Sequence, residues 1–387
     1  MTEAAAGYVV VAPDKFKGSL SGAEVAAALR NGVRRGAPEV EVRLAPVADG
    51  GEGTVEAALF SGFTAQNVTV RGPLGEDVDA VLAIRDETAV VEMALASGLQ
   101  LVPRDRLEPL RATSYGTGEL VRAAPDAGCR TVILGIGGSA GTDGGAGLVQ
   151  ALGARLLDAH GRELALGGGP LADLALLDLS GLDPRIAETT FVIASDVDNP
   201  LLGAAGAAAV FGPQKGADAA QVRQLDAALS HWAAVVTETV GKDYAVEPGA
   251  GAAGGVGFAA MAVLSATSRP GIQLLLEMTG FAQLLEGARL VITGEGSLDE
   301  QSLGGKAPIG VASAAAALGI PTLAVAGVTK LAPDTLIHAG FAATYTLQGV
   351  EPDLARCMSE AAELLDRIGQ QIAADWLGDT PTRGEAP

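Results

Sequence analysis

The sequence predicts an α/β protein built on a largely parallel sheet, with a second domain inserted into the first. Three observations carry this. Short apolar runs suited to buried strands recur, each followed by a glycine-rich turn and a helical pattern. After Gly53 that alternation gives way to closely spaced strand patterns with no room for helices between them. From Arg289 the strand, loop and helix alternation resumes, which assigns both chain ends to one domain.

In chain order, Tyr8–Ala12 is a five-residue apolar run and reads as the first strand. Ser21 and Glu24 have capping-box spacing before an Ala-rich helix that ends near Gly36, and Val40–Leu44 alternates as a second strand. Asn67–Arg71, Asp79–Arg85 and Thr88–Met93, with turns such as Gly72-Pro73, form an antiparallel meander. Thr131–Ile136 and Phe191–Ala194 are apolar strands, and Ala219–Val240 and Gly257–Ser265 are helices. Arg289–Thr293, Thr322–Ala326 and Ala342–Thr346 are the returning strands. A last helix from about Pro352 to Trp376 places Leu354, Met358, Ala361, Leu365 and Ile368 near helical spacing, and Asp379–Pro387 is polar and read as a disordered tail.

Composition narrows the function. The 387 residues carry 26 Lys+Arg against 46 Asp+Glu, a formal charge of −20. Phosphate contacts need clustered cations, so nucleic acid and anionic membrane surfaces are excluded as partners, and any anion must enter a local positive pocket. Hydrophobic content of 48% allows a sizeable core, and the length suits two or three domains. Two cysteines, Cys129 and Cys357, make neither a disulfide framework nor a thiolate metal site, and His160, His231 and His338 are scattered. Glu3 and the absence of a basic leading segment argue against a signal peptide. Pro248–Ser268 and Ala307–Thr329 are long uncharged stretches, but the first is mostly Gly and Ala and the second is broken by Pro308, Gly319 and Pro321. The expectation is a cytoplasmic protein.

Glycine is the outlier, at 53 residues about twice its ordinary share of roughly 7%. The residues cluster in loops. Gly135–Gly145 holds six glycines in eleven residues, with Ser139, Thr142 and Asp143 among them, directly after a strand and before a helical stretch. Glycines there let backbone N–H groups converge on an anion, helped by the field of a helix N-terminus. Asp49-Gly50-Gly51-Glu52-Gly53-Thr54 and Thr293-Gly294-Glu295-Gly296-Ser297-Leu298-Asp299 follow strands in the same manner. Both put carboxylates at strand ends, where open α/β sheets bind ligands; such residues are metal or hydroxyl partners, or turn caps. Lys15 and Lys17 follow the first strand, Lys215 lies in Phe211-Gly212-Pro213-Gln214-Lys215-Gly216, and Lys306 follows Gly304-Gly305. Lysines so placed can stabilise the oxygens of a transferring phosphoryl group. Ser195-Asp196-Val197-Asp198-Asn199-Pro200 ends a strand, and Asp196 there could take a hydroxyl proton or hold Mg²⁺.

Standard nucleotide fingerprints do not account for these loops. Gly249–Gly254 matches G-x-G-x-x-G, but Pro248 and the polar Asp243–Glu247 make a poor preceding strand; a dehydrogenase is the weak reading it offers. There is no Walker A loop, since Ala307 follows Lys306, and no H-R-D or G-x-S-x-G motif.

Taken together, the segments resemble one family, the class I glycerate kinases, over nearly the whole chain. The matching stretches are Ala12–Leu20, Pro46–Thr54, Glu92-Met93-Ala94-Leu95-Ala96-Ser97-Gly98, Thr113-Ser114-Tyr115-Gly116-Thr117-Gly118-Glu119, Gly135–Gly147, Ser195–Leu202, Phe211–Gly216, Pro248–Gly257, Ile292–Ser302 and Gly305-Lys306. The resemblance implies ATP-dependent phosphorylation of D-glycerate with Mg²⁺, commonly to 2-phosphoglycerate, with 3-phosphoglycerate as the other product. It also implies a flavodoxin-like domain of residues 1–66 and 288–378, a restriction-enzyme-like α/β domain over 67–287, and a tail at 379–387. The chain is expected to be a monomer or homodimer.

On that resemblance Asp196, Lys306 and Lys15 are the catalytic candidates, with Asp196 orienting or deprotonating the attacking hydroxyl. Thr113, Ser114, Thr117, Asp49 and Lys17 are candidates for the substrate. Gly137, Gly138, Ser139, Asp143, Gly144, Gly294, Gly296 and Lys215 are candidates for the nucleotide phosphates, and Asp196, Glu295 and Asp299 for the metal. Two departures stand out: Gly141-Thr142 replace an expected Thr-Asn, putting a side-chain hydrogen bond in doubt, and Pro125 should kink the helix after Gly118. The competing readings are a phosphotransferase for another small hydroxy acid, which one changed hydrogen-bonding side chain would suffice to produce, and a nucleotide-binding regulator without chemistry.

Overall fold

The computed structural model describes residues 7–378. Among them lie thirteen strands: β1 Tyr8–Pro13, β2 Val42–Leu44, β3 Thr64–Arg71, β4 Asp77–Arg85, β5 Thr88–Glu92, β6 Thr131–Gly135, β7 Arg155–Leu157, β8 Leu176–Asp178, β9 Thr190–Ala194, β10 Thr267–Arg269, β11 Ala288–Leu298, β12 Thr322–Thr329 and β13 Phe341–Thr346. The chain divides into two compact units, Met1–Ala48 with Leu275–Pro387, and Asp49–Leu274. The sequence placed these divisions at 66/67 and 287/288. The first lies earlier because helix Thr54–Phe60 packs on β4 and β5, so the chain enters the inserted unit before β3. The proposed tail at 379–387 and the region of Glu3 lie outside the described residues.

The discontinuous unit is a five-stranded sheet in the order β13-β12-β11-β1-β2, parallel throughout. Renumbered within the unit this is 2-1-3-4-5, the flavodoxin order, whose reversal falls between β1 and β11. Every residue of β1 is buried, as an apolar run covered on both faces requires. Helix Gly22–Gly36 begins at the predicted capping box, with Ser21 Oγ accepting from Glu24 N and Glu24 Oε2 from Ser21 N, and packs against helix Ala361–Trp376. The single C-terminal helix expected from Pro352 is instead two, Leu354–Ser359 and Ala361–Trp376, because Glu360 leaves helical geometry at φ −112°, ψ 20°.

The inserted unit carries a six-stranded sheet in the order β10-β9-β6-β5-β4-β3. The expected meander β3-β4-β5 is antiparallel, and β5, β6, β9 and β10 run parallel. Trp232, fully buried on helix Ala219–Val240, meets Phe258 edge to face at 6.4 Å between ring centres. Helix Ala252–Val263 is interrupted at Ala253, Gly254 and Gly255, whose φ is left-handed, so regular helix runs from Val256, one residue before the expected Gly257. Pro125 produces no mid-helix kink: it is the penultimate residue of helix Tyr115–Asp126, so the steric clash ends the helix rather than bending it. Among the described residues no helix is long and apolar enough to cross a membrane.

Candidate active site

In the inserted unit the parallel strands deliver their functional residues at their C-terminal ends. Glu92 closes β5, the glycine loop leaves β6 at Gly135, Asp196 stands two residues past β9, and Gly271 follows β10. Asp196 is exposed, and its Oδ1 accepts from the Gly271 N–H at 3.0 Å, which fixes the carboxylate's direction. Asp49 lies beside the same glycine: a Cβ on Gly271 would collide with the Asp49 carbonyl oxygen. The structure therefore brings Asp49 and Asp196 to one edge of the sheet.

The Asp49–Thr54 and Gly135–Gly147 loops are packed backbone to backbone. Gly137 N donates to Gly50 O at 3.2 Å, and a Cβ on Gly137 would stand 2.5 Å from Gly51 Cα. Behind the first loop the buried carboxylate of Glu92 accepts from Gly53 N at 3.2 Å and Val55 N at 3.0 Å, serving the N-terminus of helix Thr54–Phe60. Glu92 is a site-supporting residue outside the candidates the motifs offer; its signal in the sequence is an acid that ends an apolar strand.

Asp143 is 1% exposed and faces inward. Its Oδ2 accepts from Thr113 Oγ1 at 3.1 Å, Ser114 N at 2.8 Å, Ser114 Oγ at 2.9 Å and Gly147 N at 3.3 Å, and its Oδ1 from Gly145 N at 3.1 Å. A buried carboxylate needs this many donors. Thr113 and Ser114, expected at the substrate, thus hold Asp143, and Thr117 Oγ1 donates to Ser97 Oγ at 2.9 Å. All three are buried.

Lys215 is likewise turned inward, at 2% exposure. Its Nζ donates to Ser139 Oγ at 2.7 Å and Gly141 O at 2.5 Å, so it grips the glycine loop from inside. Burial pushes its ammonium down to about pKa 7, partly opposed by the charge of Asp143. Gly144 has a left-handed φ of 64° and its carbonyl accepts from Trp232 Nε1 at 3.0 Å, while Gly138 remains exposed. Thr142 Oγ1 is buried without a hydrogen-bond partner, which bears on the doubt raised by its departure from Asn.

In the discontinuous unit the candidates cluster where the strand order reverses. Lys15 and Lys17 follow β1, and Lys17 N lies 3.2 Å from where a Cβ on Gly296 would stand. Lys15 is largely buried and pairs with Asp14 at 3.6 Å. Gly294 and Gly296 are not in a loop, as the sequence suggested: β11 runs on to Leu298, because Gly294 accepts from Asp14 N at 2.8 Å and pairs Val325 of β12. The acidic residues sit farther along the strand, with Glu295 half-buried and opposite Ala326. Asp299 Oδ1 accepts from Gln301 N at 2.9 Å and Ser302 N at 3.2 Å, the turn-capping alternative. Lys306 occupies the N-cap of helix Ala307–Ala316. Among the described residues no three His, Cys, Asp or Glu side chains gather into a metal cage.

Comparison with known proteins gives this arrangement a place. The glycerate kinase family model matches residues 9–377. A glycerate kinase of Halalkalibacterium halodurans is 45% identical over 368 residues, covering 94% of this chain and 97% of its own. A glycerate 2-kinase of Escherichia coli is 49% identical over 322 residues, covering 82% and 84%. A crystal structure from Salmonella typhimurium LT2, provisionally named glycerate kinase 2, superposes with a TM-score of 0.81 at 43% identity, covering 95% of this chain and 98% of that one. Fold and relatives together define an α/β enzyme of the small-molecule kinase class. The chain belongs to the glycerate kinase family.

Proposed function

We propose that the protein transfers the γ-phosphoryl group of ATP to D-glycerate and yields 2-phosphoglycerate. The observation that carries the chemistry is Asp196, an exposed carboxylate at the end of a parallel strand with one oxygen oriented by the Gly271 N–H. In the reaction the acceptor hydroxyl oxygen forms a bond to the γ-phosphorus, the bond from that phosphorus to the bridging oxygen breaks, and ADP leaves. Asp196 takes the hydroxyl proton and passes it to solvent. Lys15 and Lys306 counter charge on the phosphoryl oxygens. Lys306 supports this at the head of a ten-residue helix, where a cation opposes the helix dipole and a bound anion would relieve the opposition.

The donor set fits Mg²⁺, which is commonly held by one or two carboxylates plus phosphate oxygens and needs no protein cage. Asp196 or Glu295 would hold it, since Asp299 is engaged in its turn. When bound, the ion neutralises phosphate charge. With Thr113, Ser114 and Thr117 turned inward, Asp49 and Lys17 remain the candidates for the acid's hydroxyl and carboxylate.

ADP release from Mg²⁺-ATP with D-glycerate, L-glycerate or no acceptor, followed by phosphorus NMR of the product, tests the reading. Release dependent on D-glycerate with a 2-phosphate resonance is expected, and Asp196→Asn should lower kcat by about 10²- to 10⁴-fold. A 3-phosphate would overturn the regiochemistry alone. Folded protein that releases no ADP with glycerate would overturn the substrate.

A further inference from the structure

Lys215 is a buried cation whose hydrogen-bond partners are neutral oxygens of a single loop. Ser139 Oγ and Gly141 O lie on either side of Ala140, more than 70 residues away in sequence, so the side chain ties the Pro213–Lys215 turn to the glycine loop. Asp143, two residues past Gly141, is the titratable group whose charge acts on it. Taking an ammonium out of water is costly, and an apolar side chain would fill the space without that cost. The charge therefore calls for an explanation beyond packing. On the outer side of the same loop Gly138 is exposed, while Gly137 is half-buried and gives its N–H to Gly50 O.

We propose that Lys215 is a positioning residue for the kinase reaction: its ammonium fixes the inner side of the Gly135–Gly147 loop and adds positive potential behind it, so that the exposed backbone at Gly138 is set for the nucleotide phosphates. This rests on reading that loop as the phosphate-binding element. The lysine touches neither substrate nor phosphate. Its action is through Ser139 and Gly141.

The test is ADP binding by calorimetry from pH 6 to 9, with kcat and KM for ATP, in the full-length wild type, Lys215→Met and Ser139→Ala. With the charge present at low pH and lost as pH rises through the lysine's titration, wild-type affinity should fall by about tenfold, the worth of one charge-assisted contact. Lys215→Met should bind about tenfold more weakly at pH 6, with the loss in KM more than in kcat, and lack that pH step. Ser139→Ala removes an acceptor of the ammonium, so its step should move to lower pH; this variant decides the matter should Lys215→Met not fold. Nucleotide titration is common to all three proteins and cancels in the comparison. A Lys215→Met protein that is merely less stable, with wild-type KM and pH step, or a Ser139→Ala midpoint equal to wild type, would overturn the proposal. Wild type that releases ADP with D-glycerate but shows no such step leaves the kinase reading standing and sinks this one, whereas wild type that binds no ADP or ATP sinks the loop reading itself.

Discussion

Asp143→Asn asks whether one carboxylate organises the glycine loop. The substitution preserves shape and replaces one acceptor oxygen by an NH₂ donor. If the amide oxygen takes the place of Oδ2, with its four hydrogen bonds, the NH₂ faces Gly145 N–H, leaving a buried donor unsatisfied at about 1–3 kcal/mol. The bonds from Thr113 Oγ1, Ser114 N, Ser114 Oγ and Gly147 N lose their charge assistance, about 1 kcal/mol each, and Lys215 loses its opposing charge. Lower desolvation of a neutral amide offsets part of this, and members of one network do not add, so the net cost is about 3–5 kcal/mol. For a unit the size of Asp49–Leu274 that corresponds to a fall in Tm of about 6–20 °C. Trp232, hydrogen-bonded to Gly144 O, is a local reporter once the second tryptophan is removed by Trp376→Phe. Thermal melts followed by its emission should show the fall. A transition within about 2 °C of the parent would refute the view that Asp143 carries this loop, since the arithmetic puts even the smallest expected effect above it.

The neighbouring residue should behave oppositely. Thr142→Val removes a buried hydroxyl that has no hydrogen-bond partner, so stability should be unchanged or rise by about 1 kcal/mol in urea titrations; a loss above about 2 kcal/mol would expose an unrecognised partner. Lys215 makes stability depend on pH with a definite sign. Its pKa is lowered from 10.5 to about 7, so above pH 7 the folded protein holds fewer protons than the unfolded chain and stability rises with pH, by at most about 1.4 kcal/mol per unit. Subtracting Lys215→Met from wild type in denaturation curves at pH 7 and 9 isolates that rise, and a zero or negative difference would show that burial does not disfavour the charge. Glu92→Ala leaves the Gly53 and Val55 N–H groups without their acceptor and should cost about 2 kcal/mol in the same titrations.

Much of the fold was legible because local signals and burial agree. The apolar run at β1, the Ser21–Glu24 box and the close spacing of β3 to β5, which leaves room only for turns between them, each have one physical solution. Chain boundaries were harder: β11 continues through Gly294-Glu295-Gly296, where composition suggests a loop, because neighbours on both sides use its backbone. Pairing of that kind is set by residues far away in sequence. The site was legible as segments, less so as roles. Thr113, Ser114, Asp143 and Lys215 occupy the right loops, but a sequence does not show which way a polar side chain turns. Here the buried carboxylate settles the direction, since its donors must come from the nearest hydroxyls and N–H groups.

The distribution of cations sharpens the functional reading. The chain has only six lysines, Lys15, Lys17, Lys215, Lys242, Lys306 and Lys330, against 20 arginines. Arginines make most of the peripheral ion pairs, for example Arg35 with Asp366, Arg155 with Glu163 and Arg356 with Glu360, each well exposed on the arginine side. Pairs of that sort contribute little to stability and mainly balance an acidic surface. Four of the six lysines, Lys15, Lys17, Lys215 and Lys306, instead stand in the glycine-containing stretches that mark the candidate site. The chemistry of the two side chains accounts for this. A guanidinium stays charged and prefers planar, bidentate partners, whereas an ammonium is a compact point charge whose ionisation responds to burial. A protein of charge −20 that must hold a phosphorylated ligand needs a few such charges at defined points, set against glycine-rich backbone. Replacing Lys306 by Arg keeps the charge and changes its shape, so it separates these requirements: if a point charge at the helix N-cap is what matters, kcat should fall while folding stability is kept.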